Sequence, residues 1–127
     1  MAPGEQRAMM SNENVTIYYN PACGTARKVL AAIRDAGIEP RIIRYLDEPP
    51  SRADLQRLLK QMGIGAAELV RRKEKLFGEL GLDAPGVTEA RLLDAMAAHP
   101  VLINRPVVVT PKGAKLCRPA ETVAELL

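Results

Sequence analysis

Tryptophan is absent from this chain of 127 residues, and there are only one phenylalanine, three tyrosines and one histidine. With 3% aromatic and 47% apolar residues, the core must be built from Leu, Ile, Val, Ala and Met. Single-stranded nucleic acid is held on aromatic stacking platforms, and here no basic block is interleaved with aromatics, so nucleic acid is not an expected partner. One histidine, His99, and two cysteines cannot assemble a zinc site of the usual Cys/His composition, so no metal is expected. Cys23 and Cys117 do not form a Cys-x-x-Cys pair, and nothing marks the chain for the oxidising compartments where a disulfide would persist. No apolar run approaches the roughly 20 residues that span a bilayer. The N-terminal MAPGEQRAMMSNEN lacks the apolar stretch of a signal peptide. A protein with no membrane span, located in the cytoplasm, is the expectation.

What is present is a modest net charge of +3 with basic residues spread along the chain, twelve of them Arg and six Lys. The planar guanidinium suits bidentate oxyanion binding better than the point charge of Lys. The length fits one domain. Residues 1–13 are small, polar and aperiodic, which predicts a disordered N-terminal extension ahead of a single domain over 14–127. Val15–Tyr19 is β-branched and aromatic and predicts a strand, ended by Asn20-Pro21. A helix follows from about Gly24 to Ala36, with Val29, Leu30 and Ile33 as its apolar stripe and Gly37 as its C-terminal stop. Arg41–Leu46 predicts a second strand, parallel to the first.

Pro49-Pro50 breaks the chain, and Ser51-x-x-Asp54 resembles a capping box. Leu55, Leu58, Leu59 and Met62 then recur at helical spacing, and Leu92, Leu93 and Met96 mark the last of several helical pieces. This helical insertion covers about 51–98. Val107–Thr110 and Ala114–Cys117 predict a β-hairpin around Pro111-Lys112-Gly113. Pro119 can open a final helix with Val123, Leu126 and Leu127 on one face. The order β-α-β, helical block, β-β-α predicts an α/β fold of the thioredoxin-like (glutaredoxin-like) layout. Its parts are a four-stranded mixed sheet flanked by helices and a helical insertion.

Cys23 is the candidate nucleophile. It lies between a strand end and a helix start, where backbone N–H groups have no intrahelical partner and the helix dipole adds positive potential. Both favour thiolate over thiol, and such positions lower a Cys pKa from about 8.5 into a range of roughly 3.5–7.5. The N–H groups at Gly24 and Thr25 can also cradle an anion. Cys117 ends a predicted strand and is explained by packing. A phosphatase loop of the Cys-x5-Arg type is excluded, because the sixth residue after Cys23 is Val29; Arg27, one helical turn on, does not close that loop.

The segments NPACGTAR, RYLDEPP, LVRRK, HPVLINRPVVVTPKG and LCRP, in that order from about Met10 to Leu127, resemble the arsenate reductases that couple to glutathione and glutaredoxin. The resemblance implies a thioredoxin-like fold with a helical insertion, and Cys23 as the nucleophile. It places the family's three oxyanion-binding arginines on Arg71, Arg105 and Arg118, and implies a cis bond before Pro106. Arsenate would be the substrate, glutathione the co-substrate and glutaredoxin the partner, with no bound cofactor. Guanidinium forks suit the tetrahedral oxygens of arsenate. The chain departs from the family at Tyr19, where a His four residues before the cysteine is common. It also departs at Ala26, where a hydroxyl residue is common, and in lacking the charged C-terminal tail. His99 is expected to be structural. Two other functions fit the same fold. A glutathione-dependent thiol/disulfide reductase would not need the arginine set. A non-enzymatic RNA-polymerase-binding regulator commonly carries Cys-x-x-Cys, whereas here the partner position is Ala26.

Overall fold

The computed structural model describes residues 14–127, and the expectation for 1–13 lies outside the described residues. The chain divides into two compact units: residues 14–45 with 105–127, and residues 46–104.

The first unit holds a four-stranded mixed sheet in the order β2-β1-β3-β4. Strand β1 is Thr16–Tyr18, β2 Arg41–Ile43, β3 Val107–Thr110 and β4 Gly113–Leu116. β1 runs parallel to β2 and antiparallel to β3, and β3 and β4 form the antiparallel hairpin. Helix α1, Gly24–Asp35, connects β1 to β2. Its buried face is Ala26, Val29, Leu30 and Ile33. These positions recur at helical spacing, so one stripe of the helix faces the core. Gly37, at φ +84, takes the left-handed turn that ends it.

The core of this unit joins Val15 and Ile17 of the sheet to Val29, Leu30 and Ile33 of α1. Val108, Cys117, Val123 and Leu126 complete it. Burying each such aliphatic side chain contributes about 1.5–3 kcal/mol. The last element differs from expectation. Ala120–Leu126 is a 3₁₀ helix rather than an α-helix. Side chains three apart eclipse in that geometry, which is why Val123 and Leu126 both reach the core while Leu127 is only partly covered. The strands are also shorter than predicted, and β4 ends at Leu116, so Cys117 lies just beyond it.

The second unit is helical: α2 Arg52–Met62, α3 Ala66–Leu69, α4 Lys75–Glu79 and α5 Glu89–Ala98, followed by a 3₁₀ turn at Pro100–Leu102. Ser51 caps α2 as a capping box. Its hydroxyl accepts from the Asp54 N–H at 3.1 Å, and the Asp54 carboxylate accepts from the Ser51 N–H at 3.0 Å. The Glu89 carboxylate satisfies the start of α3 by accepting from the Ala66 N–H at 2.7 Å. Leu55, Leu58, Leu59, Leu69, Leu92, Leu93, Met96 and Leu102 are buried. No helix among the described residues is long and apolar enough to cross a membrane.

Candidate active site

The register of the sheet builds the site. β3 and β4 pair Val107 with Leu116. The next residues outward are tied by the Cys117 N–H, which donates to the Pro106 carbonyl at 2.9 Å. One step further the hairpin delivers Arg105 and Arg118 side by side. β1 meets β3 with Tyr18 opposite Val107, so the same end of the sheet also receives the loop Tyr19–Cys23. The bonds Arg105–Pro106 and Arg118–Pro119 are both cis.

The loop is closely held. Asn20 is buried. Its side-chain Oδ1 accepts from the Ala22 N–H at 2.9 Å, and its backbone carbonyl accepts from the Cys23 N–H at 3.0 Å. The Cys23 carbonyl accepts from the Arg27 N–H at 3.1 Å, which starts α1 with Cys23 at the N-cap. Arg27 Nη1 reaches back to the Pro21 carbonyl at 2.8 Å. Gly24 is exposed, and a Cβ there would meet only Arg27 Nη2, at 3.7 Å.

Arg118 Nη1 lies 3.8 Å from Cys23 Sγ and donates to the Arg105 carbonyl at 2.9 Å. One guanidinium thus braces its neighbour and faces the sulfur. Burial pushes the Cys23 thiol up, but the Ala26 N–H, the Arg105 and Arg118 guanidiniums and the Thr25 N–H together outweigh it. The thiol is held below its ordinary range. The Ala26 and Thr25 N–H groups belong to the first turn of α1, so the helix terminus itself favours the thiolate. Tyr19, where the family commonly has His, packs against the hydrophobic core.

Cys117 has the opposite environment. It is fully buried, and burial raises its thiol to about 11. Such a thiol stays neutral and unreactive at physiological pH.

Arg71 belongs to the second unit. Its Nη1 donates to Asn104 Oδ1 at 3.4 Å, its Nε lies 3.6 Å from a Glu74 carboxylate oxygen, and its N–H donates to the Leu102 carbonyl at 2.7 Å. The adjacent Arg72 is used otherwise: its guanidinium lies 5.4 Å from the Phe77 ring centroid and donates to the Ala67 carbonyl at 3.2 Å. His99 caps the end of α5 and donates its N–H to Ala95 at 2.8 Å.

The structure therefore brings together Cys23, Gly24, Thr25, Arg105 and Arg118, five of the six residues singled out from sequence. It adds Asn20 and the Ala26 N–H, which sequence reasoning passed over. The Asn-Pro dipeptide was the available signal, since Asn side chains bond the backbone two residues on. Among the described residues no group of three or more His, Cys, Asp or Glu could hold a metal ion. A partly exposed thiolate beside two guanidiniums and an open helix N-terminus can bind a tetrahedral oxyanion and attack its central atom.

Comparison with known proteins bears on this geometry. The model of the ArsC family matches residues 18–126. An arsenate reductase of Rhizobium meliloti (strain 1021) is 53% identical over 113 residues, covering 89% of this chain and 81% of the relative. An arsenate reductase of Escherichia coli (strain K12) is 53% identical over 114 residues, covering 90% and 81%. The solved structure of an arsenate reductase from Vibrio cholerae superposes with a TM-score of 0.86 at 42% identity, over 89% of this chain and 97% of that one.

Proposed function

This chain belongs to the ArsC family and is an arsenate reductase, and we propose that it works through a Cys23 thiol–arsenate ester resolved by glutathione and glutaredoxin. The observation that carries the proposal is the Cys23 sulfur, 3.8 Å from Arg118 Nη1 and held below its usual pKa, against the effect of burial, by the Ala26 N–H with Arg105, Arg118 and the Thr25 N–H.

Arsenate binds at the start of α1. The N–H groups at Gly24 and Thr25 and the Arg105 and Arg118 guanidiniums take its oxygens, and Gly24 leaves the helix end open to it. Arg71 is the proposed third guanidinium. That role rests on the resemblance of LVRRK to the family's segment. The thiolate attacks arsenic, and one arsenate oxygen leaves as water after taking up protons. The guanidiniums stabilise the charge on the remaining oxygens. The glutathione thiol then displaces a second oxygen as water. A glutaredoxin thiol attacks the glutathione sulfur, the electron pair of that sulfur–arsenic bond stays on arsenic, and arsenic passes from +5 to +3. The mixed disulfide leaves on glutaredoxin, and water releases arsenite and frees Cys23. External thiols are needed because Cys117 is buried and neutral and cannot resolve the adduct. A reaction fed by glutathione belongs in the cytoplasm, where the thiol pool is kept reduced.

Arsenate reduction by purified protein with glutathione and glutaredoxin tests this. Cys23→Ser should abolish turnover, and survival of activity in that variant would overturn the proposal. Arg105→Ala should weaken arsenate binding at least tenfold, the scale of one lost charge-assisted hydrogen bond. Arg91→Ala, whose guanidinium bonds the Leu80 carbonyl in the second unit, should leave binding unchanged. Equal losses in the two would remove the case for a dedicated oxyanion site. No activity in the unaltered protein would favour a disulfide substrate.

A further inference from the structure

A thiolate at a helix N-terminus gains from the terminus only if its sulfur is kept there, and a five-residue loop ending in Pro-Ala-Cys offers little stiffness of its own. In this loop the backbone polar groups are committed one by one. The Ala22 N–H goes to Asn20 Oδ1 and the Cys23 N–H to the Asn20 carbonyl. The Pro21 carbonyl goes to Arg27 Nη1 and the Cys23 carbonyl to the Arg27 N–H. Two residues thus supply all four partners. Asn20 serves from the strand side, where burial fixes its rotamer. Arg27 serves from the first turn of the helix.

We propose that Asn20 and Arg27 are positioning residues that clamp the Pro21–Cys23 turn and so hold the Cys23 sulfur at the start of α1, facing Arg118. Neither touches the sulfur. Arg27 Nη1 is committed to the Pro21 carbonyl at 2.8 Å, so its part is to hold that carbonyl. The charged groups that do act on the thiol are Arg105 and Arg118, and neither is bonded to Asn20 or to the Arg27 side chain in the contacts described. The inference rests on Cys23 being the nucleophile. Its test reads the thiol directly and not arsenate turnover, so the clamp and the proposed reaction can fail separately.

The measurement is the pH dependence of Cys23 alkylation by iodoacetamide, with the adduct located by mass spectrometry. Asn20→Ala should move the midpoint upward by about half a unit, less than loss of a charge beside the sulfur, because the bond it removes is neutral and reaches the sulfur only through its position. Asn20→Ser should recover part of the shift, because a hydroxyl can accept the same N–H two residues on, more weakly. Arg27→Met should shift the midpoint in the same direction and keep the shift at about 1 M salt, where the effect of a lost exposed charge alone is screened, so this exposed site serves the test should Asn20→Ala not fold. The control is Thr110→Val. Thr110 is buried, donates to the Leu126 carbonyl at 3.0 Å and accepts from the Lys112 N–H at 3.0 Å. Its loss should lower the melting temperature and leave the Cys23 midpoint unmoved. A folded Asn20→Ala or Arg27→Met with the wild-type midpoint overturns the proposal, as does an equal shift in Thr110→Val.

Discussion

Removing the Arg118 guanidinium should make Cys23 a more ordinary thiol, and the structure sets the size of the change. Arg118 Nη1 lies 3.8 Å from Cys23 Sγ, and Arg118 is exposed, so a water-like dielectric applies. Coulomb attraction at that separation is then about 1 kcal/mol. One pKa unit corresponds to about 1.4 kcal/mol, so Arg118→Ala should raise the Cys23 pKa by roughly 0.8 unit. Loss of the brace on the Arg105 carbonyl, now held at 2.9 Å, acts in the same direction. The sign is fixed: positive charge favours thiolate, so reactivity should begin at higher pH in the variant. The assay is iodoacetamide alkylation of Cys23 as a function of pH. The midpoint is the diagnostic quantity rather than the rate at one pH, because a thiolate of higher pKa is also intrinsically more nucleophilic. Arg118→Lys should fall between the two. Salt at about 1 M, where the Debye length is ~3 Å, should narrow the gap between Arg118→Ala and wild type. A midpoint in Arg118→Ala equal to or below that of wild type would refute the assignment of Arg118 to the thiolate.

Three further outcomes are expected. Cys117 is held neutral at about 11 in the fold, so the unfolded chain loses that proton first as pH rises. Stability should therefore fall between about pH 9 and 11, by on the order of 2 kcal/mol. Urea unfolding of wild type and Cys117→Ala across that range checks it, and the same slope in both would remove Cys117 as its source. Ser51→Ala opens the capping box of α2 and should cost about 1 kcal/mol, read as a lower urea midpoint with unchanged slope. Ile33→Ala empties a fully buried position and should cost about 2–5 kcal/mol, whereas Arg34→Ala, at the neighbouring exposed position, should leave the midpoint in place.

The helices were the more legible part of the fold. Val29, Leu30 and Ile33, and Leu55, Leu58 and Leu59, mark buried faces by spacing alone, and Ser51-x-x-Asp54 forms the cap its pattern announces. Strand ends were less legible, because pairing partners set them. Tyr45 is fully buried yet lies two residues beyond the end of β2. The C-terminal segment has an apolar pattern that fits either helix type, and the eclipsed pair Val123 and Leu126 settled it as 3₁₀.

The position of Cys23 at the start of a helix was legible in the sequence, because it depends on local signals. A thiol in the residue before a helix lies next to the unpaired terminal N–H groups. The two guanidiniums beside it were decided by tertiary structure. Arg105 and Arg118 are 13 residues apart, and no local rule joins them. The β3–β4 register, with Val107 opposite Leu116, carries both to the end of the sheet where β1 delivers Cys23. The two cysteines separate for the same reason. Residue type is identical, but one sits at an open helix end and the other in the core, and burial with its neighbouring charges sets which thiol can ionise.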